Sequence, residues 1–348
     1  MIRTEHLQVT PELVALIGEF DEFKGAWRAL GRIAPERLRQ LRRVATIESV
    51  GSSTRIEGAT LSDREVEALL ARGSGRLATR DEQEVVGYAE LMEVIFANHA
   101  AIPVTENFIK QLHATLLRYS EKDARHRGEY KKFPNSVEAF DAHGASLGVV
   151  FATATPFDTP REMAELVDWW GRAREDRAMH PLLAVGIFVV VFLAIHPFQD
   201  GNGRLSRALT VLLLLQAGYA YVPYSSIEGI IERSKEAYYL SLRRTQSTLA
   251  APAPEWTPWL QFFLRALREQ KARLESRIER EALLRASMPA LSVTILELVA
   301  EHGPIGVGDL VRITRAARGT VKTRVAELVA AGELRRVGQG RGAKYLTA

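Results

Sequence analysis

His196-Pro-Phe-Gln-Asp-Gly-Asn-Gly-Arg-Leu-Ser-Arg207 lies between two apolar stretches, Leu182–Ile195 and Leu209–Leu215. Those runs predict two buried helices joined by a loop that carries a histidine, a carboxylate, a glycine-flanked turn and two arginines. Functional groups concentrate on loops held by a rigid scaffold. Gly201-Asn202-Gly203 can follow the positive-φ path that converges backbone N–H groups, with Gly203 expected to open the next helix. At a helix start, unpaired N–H donors and the helix dipole both favour anions. Arg204 and Arg207, three apart, are expected on one helical face within reach of phosphate oxygens. Asp200 offers a hard oxygen to Mg²⁺, which bridges phosphates and keeps several waters. His196 suits a general base near neutral pH. A histidine after an apolar helix is commonly structural, and a lone Gly-Asn-Gly is commonly a turn. Nine specified positions within twelve residues together point to a nucleotide's phosphates.

Outward from this segment, helical periodicity dominates and predicts a mainly α protein. Pro11–Leu30 and Pro35–Val50 each open on a proline suited to a first helical turn. Leu61–Arg72 begins with a capping box at Ser62-Asp-Arg-Glu65. Arg80–His99, Thr105–Tyr119 and Pro160–Arg174 continue the pattern. Strand-like sequence is confined to about Glu129–Thr155, where Gly144, Gly148 and Val149-Val-Phe151 predict a hairpin. Ala250-Ala-Pro-Ala-Pro254 reads as a loop, followed by a charged helix from about Pro258 to Ser287. The expected domains are an N-terminal helical region (1–100), a core (101–250), a connector helix (251–287) and a C-terminal domain (288–348).

The chain of 348 residues, 47% apolar and 25% charged, has the composition of an ordinary globular protein of two or three domains. It has no cysteine, which excludes disulfides and thiolate metal sites. Leu182–Ile195 is shorter than the roughly 20 residues of a membrane-spanning helix. The opening Met1-Ile-Arg-Thr-Glu-His6 lacks a basic-then-apolar leader, so a cytoplasmic location without membrane contact is expected. From Met288 onward there are nine Lys/Arg against five Asp/Glu, a net of +4 that equals the charge of the whole chain. The excess positive charge therefore resides in the C-terminal domain and predicts an anionic partner there.

The twelve-residue segment resembles the signature of the Fic family, HPF-x-(D/E)-GNGR-x-x-R, at every fixed position. The resemblance covers roughly Thr105–Ser247 and implies a helical bundle with a β-hairpin flap. It implies transfer of AMP from ATP, with Mg²⁺, to a Ser, Thr or Tyr hydroxyl of a target protein. His196 would deprotonate that hydroxyl, and Asp200 would hold Mg²⁺ against the α- and β-phosphates. Gly201, Asn202 and Gly203 would bind phosphate oxygens, Arg204 the α/β region and Arg207 the γ-phosphate. Leu112-His-Ala-Thr-Leu-Leu117 resembles the helix before the family's flap, and Arg127-Gly-Glu-Tyr130 the flap's entry. Lys131 stands where many members have Arg, and the flap segment Phe133–Phe151 is long.

Ser53-Thr-Arg-Ile-Glu57-Gly58 resembles the family's inhibitory motif, (S/T)-x-x-x-E-(G/N). A glutamate paired with Arg207 would occupy the space and positive charge the γ-phosphate needs. Ser53, one helical turn earlier, would face the same site. In the family this glutamate can also assist AMP removal, and the alternative reading is a nucleotide-sensing transcriptional regulator without turnover. In the C-terminal domain, Ser292–His302, Gly308–Thr314 and Gly319–Ala331 read as three helices. The third is expected to turn Thr320, Lys322, Thr323 and Arg324 outward. Glu333-Leu-Arg-Arg-Val337, Gly338-Gln-Gly-Arg-Gly342 and Ala343-Lys-Tyr-Leu346 read as a hairpin. That order predicts a winged helix-turn-helix for DNA, or one used for protein contacts such as a homodimer.

Overall fold

Residues spaced at three- and four-residue intervals form helices along most of the chain. The computed structural model describes residues 2–29, 35–73, 75, 77–140, 146–176, 179–286, 288–338 and 340–347. Two units result, Met1–Ala29 with Arg42–Lys271, and Leu30–Leu41 with Ala272–Ala348.

The larger unit starts with α1 (Pro11–Ala29) and α2 (Pro35–Ile56), the latter six residues longer than the sequence predicts. Gly51-Ser-Ser-Thr54 reads as a poor helix by propensity, yet all four residues are buried, so packing overrides a weak local preference. The capping box of α3 (Asp63–Arg72) is present, with Ser62 N donating to Glu65 Oε2 at 2.9 Å. Next come α4 (Arg80–Asn98) and α5 (Glu106–Leu116), whose N-caps are Thr79 and Thr105. The hairpin pairs β1 (Ser136–Phe140) with β2 (Ser146–Ala152) in antiparallel register, Val137 opposite Phe151. Gly144, expected in its turn, falls outside the described residues.

After α6 (Thr159–Glu175) comes α7 (Pro181–Ile195), apolar on every side, with 13 of its 15 residues buried. A helix of that character must be surrounded. It packs against α6, α8 (Asn202–Gln216) and α10 (Lys235–Gln246), while α9 (Glu228–Arg233) precedes α10. Among the described residues no helix is long and apolar enough to cross a membrane. α11 (Thr257–Ala286) closes the series, its residues from Ala272 onward belonging to the second unit. Ser287, the expected end of that helix, lies outside the described residues.

The C-terminal domain consists of α12 (Ala290–His302), β3 (Ile305–Gly306), α13 (Val307–Thr314), α14 (Arg318–Ala330), β4 (Leu334–Val337) and β5 (Lys344–Thr347). Its core gathers Ile295, Val299, Leu310, Val321, Val325, Leu328 and Leu334. The sheet is antiparallel in the order β3-β5-β4, so the expected hairpin gains a third strand. Two residues are too few to carry a period, which is why β3 is illegible in sequence. Arg315, left-handed at φ 55°, turns α13 toward α14. Thr320, Lys322 and Thr323 are exposed on α14, and Arg335 and Arg336 on β4. Arg324 is half-buried and pairs with Glu327 at 2.7 Å. Gln339 is outside the described residues.

Candidate functional site

The end of α7 delivers the histidine. His196 takes a left-handed conformation (φ 53°, ψ 59°), its N–H closing on Phe192 O at 2.9 Å, and the chain leaves the helix there. Non-glycine residues rarely adopt this geometry, and it persists where surrounding contacts impose it. Nδ1 lies 3.3 Å from Leu193 O. A carbonyl can only accept, so Nδ1 carries the proton and Nε2 keeps a lone pair. Burial, reinforced by the positive charge of Lys131, lowers the imidazole to about 4. The ring is neutral at pH 7 and able to take a proton. An NMR titration of the His196 ring is expected to give an apparent pKa near 4. Lys131→Met should move it upward, and Lys131→Arg should leave it low. An unshifted value in the wild type would contradict this assignment.

The turn after His196 is held from several sides. Phe198 is fully buried and stacked on His113, with centroids 3.8 Å apart at 12°. His113 Nδ1 accepts from Gly128 N at 2.8 Å, so its Nε2–H donates to Asp200 O at 2.9 Å. Asn202 Oδ1 accepts from Phe198 N at 2.9 Å and its Nδ2 donates to Phe198 O at 2.7 Å. That side chain is consumed in closing the turn, which leaves the backbone of Asn202 for an anion. From the base of the hairpin, Lys131 N donates to Pro197 O at 2.9 Å and Nζ to Ile195 O at 3.0 Å. Gly201 is left-handed at φ 79°, a conformation glycine adopts without steric cost. α8 begins at Asn202, one residue before the expected Gly203, and no side chain caps it. Its first-turn donors are therefore of the kind that bind anions.

Asp200 Oδ1 lies 3.2 Å from Arg204 NH2 and accepts from Gly201 N at 2.5 Å, while Oδ2 lies 3.2 Å from Arg80 NH2. These partners hold its carboxyl below the usual range despite partial burial. Arg204 is buried behind Asp200, with NH1 3.1 Å from Glu84 Oε2 and Nε without a hydrogen-bond partner among the described residues. Arg204 and Arg207 thus diverge, because Glu84 on α4 draws one and Glu57, in the turn after α2, draws the other. Arg207 Nε donates to Ser53 Oγ, and its NH2 donates to Ser53 O and Glu57 Oε1, each at 2.8 Å. Glu57 is partly buried, which opposes its charge, but Arg207 more than offsets this and its carboxyl is lowered. A Cβ added to Gly203 would meet Glu57 Oε1, so a larger residue there would push the Glu57 side chain aside. Gly58, left-handed at φ 105°, ends the α2 segment behind it.

His196, Asp200, Gly201, Asn202, Gly203, Arg207 and Glu57 line one pocket; Arg204 is not in its wall. Gln199, Leu193, Tyr238, Tyr239 and Leu242 complete it, and the last four carry no sequence signal beyond helical periodicity. Glu84 is equally silent, and His113, within Leu112–Leu117, gives no sign of its contact with Asp200, because the partners come from distant segments. Among the described residues, no group of three or more His, Asp or Glu could hold a metal ion. Mg²⁺ that arrives with phosphates needs one or two carboxylates and keeps its waters. Asp200, with 28% of its side chain exposed, fits that role once the half-exposed Arg80 moves off Oδ2.

Fold and site together define a helical bundle in which a glycine-flanked turn opening α8 lies beside a neutral histidine. Residues 103–214 match the Fic/DOC family model, and the chain carries a Fic/DOC domain. Residues 289–347 match the model "Transcriptional regulator DIP2311-like, C-terminal domain". The protein adenylyltransferase Fic of Drosophila mojavensis is 26% identical over 220 residues, 61% of this chain and 41% of that protein. That of Drosophila virilis is 26% identical over 243 residues, 68% of this chain and 46% of that protein. The chain therefore spans less than half the length of these relatives. A Fic family protein from Desulfovibrio desulfuricans G20 shares the fold across 99% of this chain and 98% of its own (TM-score 0.63, 24% identity). A Fic domain containing signaling protein from Bacteroides thetaiotaomicron covers 75% of this chain and 97% of its own (TM-score 0.59, 26% identity).

Proposed function

We propose that this protein transfers AMP from ATP to a Ser, Thr or Tyr hydroxyl of a target protein and that Glu57 restrains the reaction at rest. The observation that carries the reading is the unprotonated Nε2 of His196, in the pocket walled by Gly201–Gly203 and Arg207. The likeness to protein adenylyltransferases supports it. Nε2 would take the hydroxyl proton as the oxygen attacks the α-phosphorus. A new P–O bond forms, the bond from the α-phosphorus to the bridging oxygen breaks, and pyrophosphate leaves with that oxygen. The first-turn backbone of α8 would receive phosphate charge, and Arg207 the γ-phosphate once Glu57 withdraws. Mg²⁺, held by Asp200 and the nucleotide, would neutralise charge on the α- and β-phosphates. Incubating the Glu57→Gly protein with Mg²⁺ and ATP labelled at either phosphate tests the chemistry. Label is expected in protein from the α position alone. Transfer from the γ position would mean kinase-like chemistry, and no transfer would leave a nucleotide sensor.

The C-terminal domain is proposed to bind DNA as a winged helix, α14 entering the major groove and the β4–β5 hairpin meeting phosphates. Its local excess of four positive charges and its match to a transcriptional regulator's C-terminal domain support this. Arg335→Ala and Arg341→Ala are expected to weaken binding across DNA sequences. Each lost phosphate contact should flatten the slope of log K against log [salt] by about 0.9. An unmodified chain with no salt-sensitive DNA affinity would turn the domain toward protein contacts.

A further inference from the structure

Glu57 reaches Arg207 from the turn that follows α2, and the end of α2 is bolted down by its neighbour Arg55. Arg55 Nε donates to Glu232 Oε1 at 2.6 Å and its NH2 to Glu232 Oε2 at 3.0 Å, a two-pronged fork. The remaining prong, NH1, donates to Leu61 O at 2.9 Å and lies 2.9 Å from Asp63 Oδ1. One guanidinium thereby joins the end of α2 to the start of α3 and the last turn of α9. Paired donors on a rigid plane fix orientation as well as distance, which a lysine in the same place would not do.

Two further observations tie the fork to the pocket. A Cβ added to Gly51 would lie 2.6 Å from Arg55 NH1 and 2.7 Å from Asp63 Oδ1. The mid-helix glycine, otherwise a cost to α2, leaves space for the contact of Arg55 NH1 with Asp63 beside the fork. The main chain of Arg55 also serves the turn, because Gly58 N donates to Arg55 O at 3.0 Å. Glu57 N donates one residue earlier, to Thr54 O, also at 3.0 Å. Holding Arg55 therefore holds the backbone on which Glu57 is mounted. On the other side, α9 runs into α10, whose Tyr238 and Tyr239 line the pocket.

We infer that Arg55 is a positioning residue for Glu57, and that its fork with Glu232 sets how much of the time the carboxylate occupies the Arg207 site. The inference rests on the reading of Glu57 as a brake. With the fork intact, the α2 end, the Glu57 turn and α9 move as one piece. Without it, Glu57 keeps its attraction to Arg207 but loses the fixed mount, and the open state gains population. The partners are 22% and 29% exposed, so water screens the fork and the effect is graded rather than complete.

The test uses the full chain and self-modification from α-labelled ATP. Glu232→Gln, which keeps shape and removes the charge from α9, is expected to raise transfer roughly 3- to 10-fold over wild type. In the Glu57→Gly background the same change should add nothing. Arg55→Lys, which keeps charge without the fork, should fall between wild type and Glu232→Gln. Transfer at the wild-type level in Glu232→Gln, alongside fast transfer in Glu57→Gly, overturns the inference. So does an equal gain in both backgrounds, which would mean that the fork acts elsewhere. Should Glu57→Gly itself transfer no label, the brake reading fails separately. Hydrogen exchange at the Glu57 and Gly58 amides then decides the positioning role. Faster exchange in Glu232→Gln upholds it, and unchanged protection overturns it.

Discussion

The Glu57→Gly protein is expected to transfer AMP roughly 10- to 100-fold faster than wild type, as measured by α-labelled ATP. The magnitude follows from what the substitution removes, a charge-assisted hydrogen bond worth about 1.5–3 kcal/mol. Arg207 is buried, and Glu57 Oε1 sits 2.8 Å from its NH2. A γ-phosphate entering that site must displace the carboxylate or settle elsewhere, and settling elsewhere carries the α-phosphorus away from His196. The carboxylate's charge also repels the incoming anion. Because Arg207 holds the Glu57 carboxyl below its ordinary range, the pair stays ionised through neutral pH. Restraint should therefore fade only as pH falls below the usual carboxylate range, and pH changes between 6 and 8 should leave the ratio of mutant to wild-type rates unchanged. Equal rates for the two proteins would remove Glu57 from any inhibitory role.

His196→Ala, placed in the Glu57→Gly background, is expected to lower transfer by 10²- to 10⁴-fold while ATP affinity changes little. Loss of a general base has about that effect. Nucleotide binding is expected to survive because the anion-binding parts are backbone donors of α8 and the Arg207 guanidinium, neither of which the imidazole supports. The turn is held instead by Asn202, His113 and Lys131. Isothermal titration with ATP and the labelled transfer assay separate the two effects. A parallel loss of binding and transfer would mean that His196 is structural. Its neutrality down to about pH 4 further predicts no acid limb near pH 6.5 in kcat/KM of the released enzyme.

Much of the fold is legible in the sequence alone. The apolar runs on either side of His196–Arg207 predicted two buried helices, and α7 and α8 occupy those positions. The capping box at Ser62–Glu65 was readable because its partners lie one turn apart. The extension of α2 through Gly51–Ile56 was not, since propensity there opposes the helix and burial decides the matter. Nor was the divergence of Arg204 and Arg207, whose three-residue spacing places them on one face. Their side chains follow Glu84 and Glu57, carboxylates 120 and 150 positions away in the chain.

The amino-acid order by itself determined the helical class, the place of the Gly201–Gly203 turn, the histidine that precedes it and the positive charge of the C-terminal domain. Each depends on residues close together in sequence, where period and spacing report directly on geometry. Tertiary structure alone decided that Asn202 is spent on the turn, that Arg204 stands behind Asp200, that Tyr238 and Tyr239 wall the pocket and that Arg55 pairs with Glu232. These depend on which distant helices meet, and side-chain partners across such gaps are chosen by packing, which local sequence does not encode.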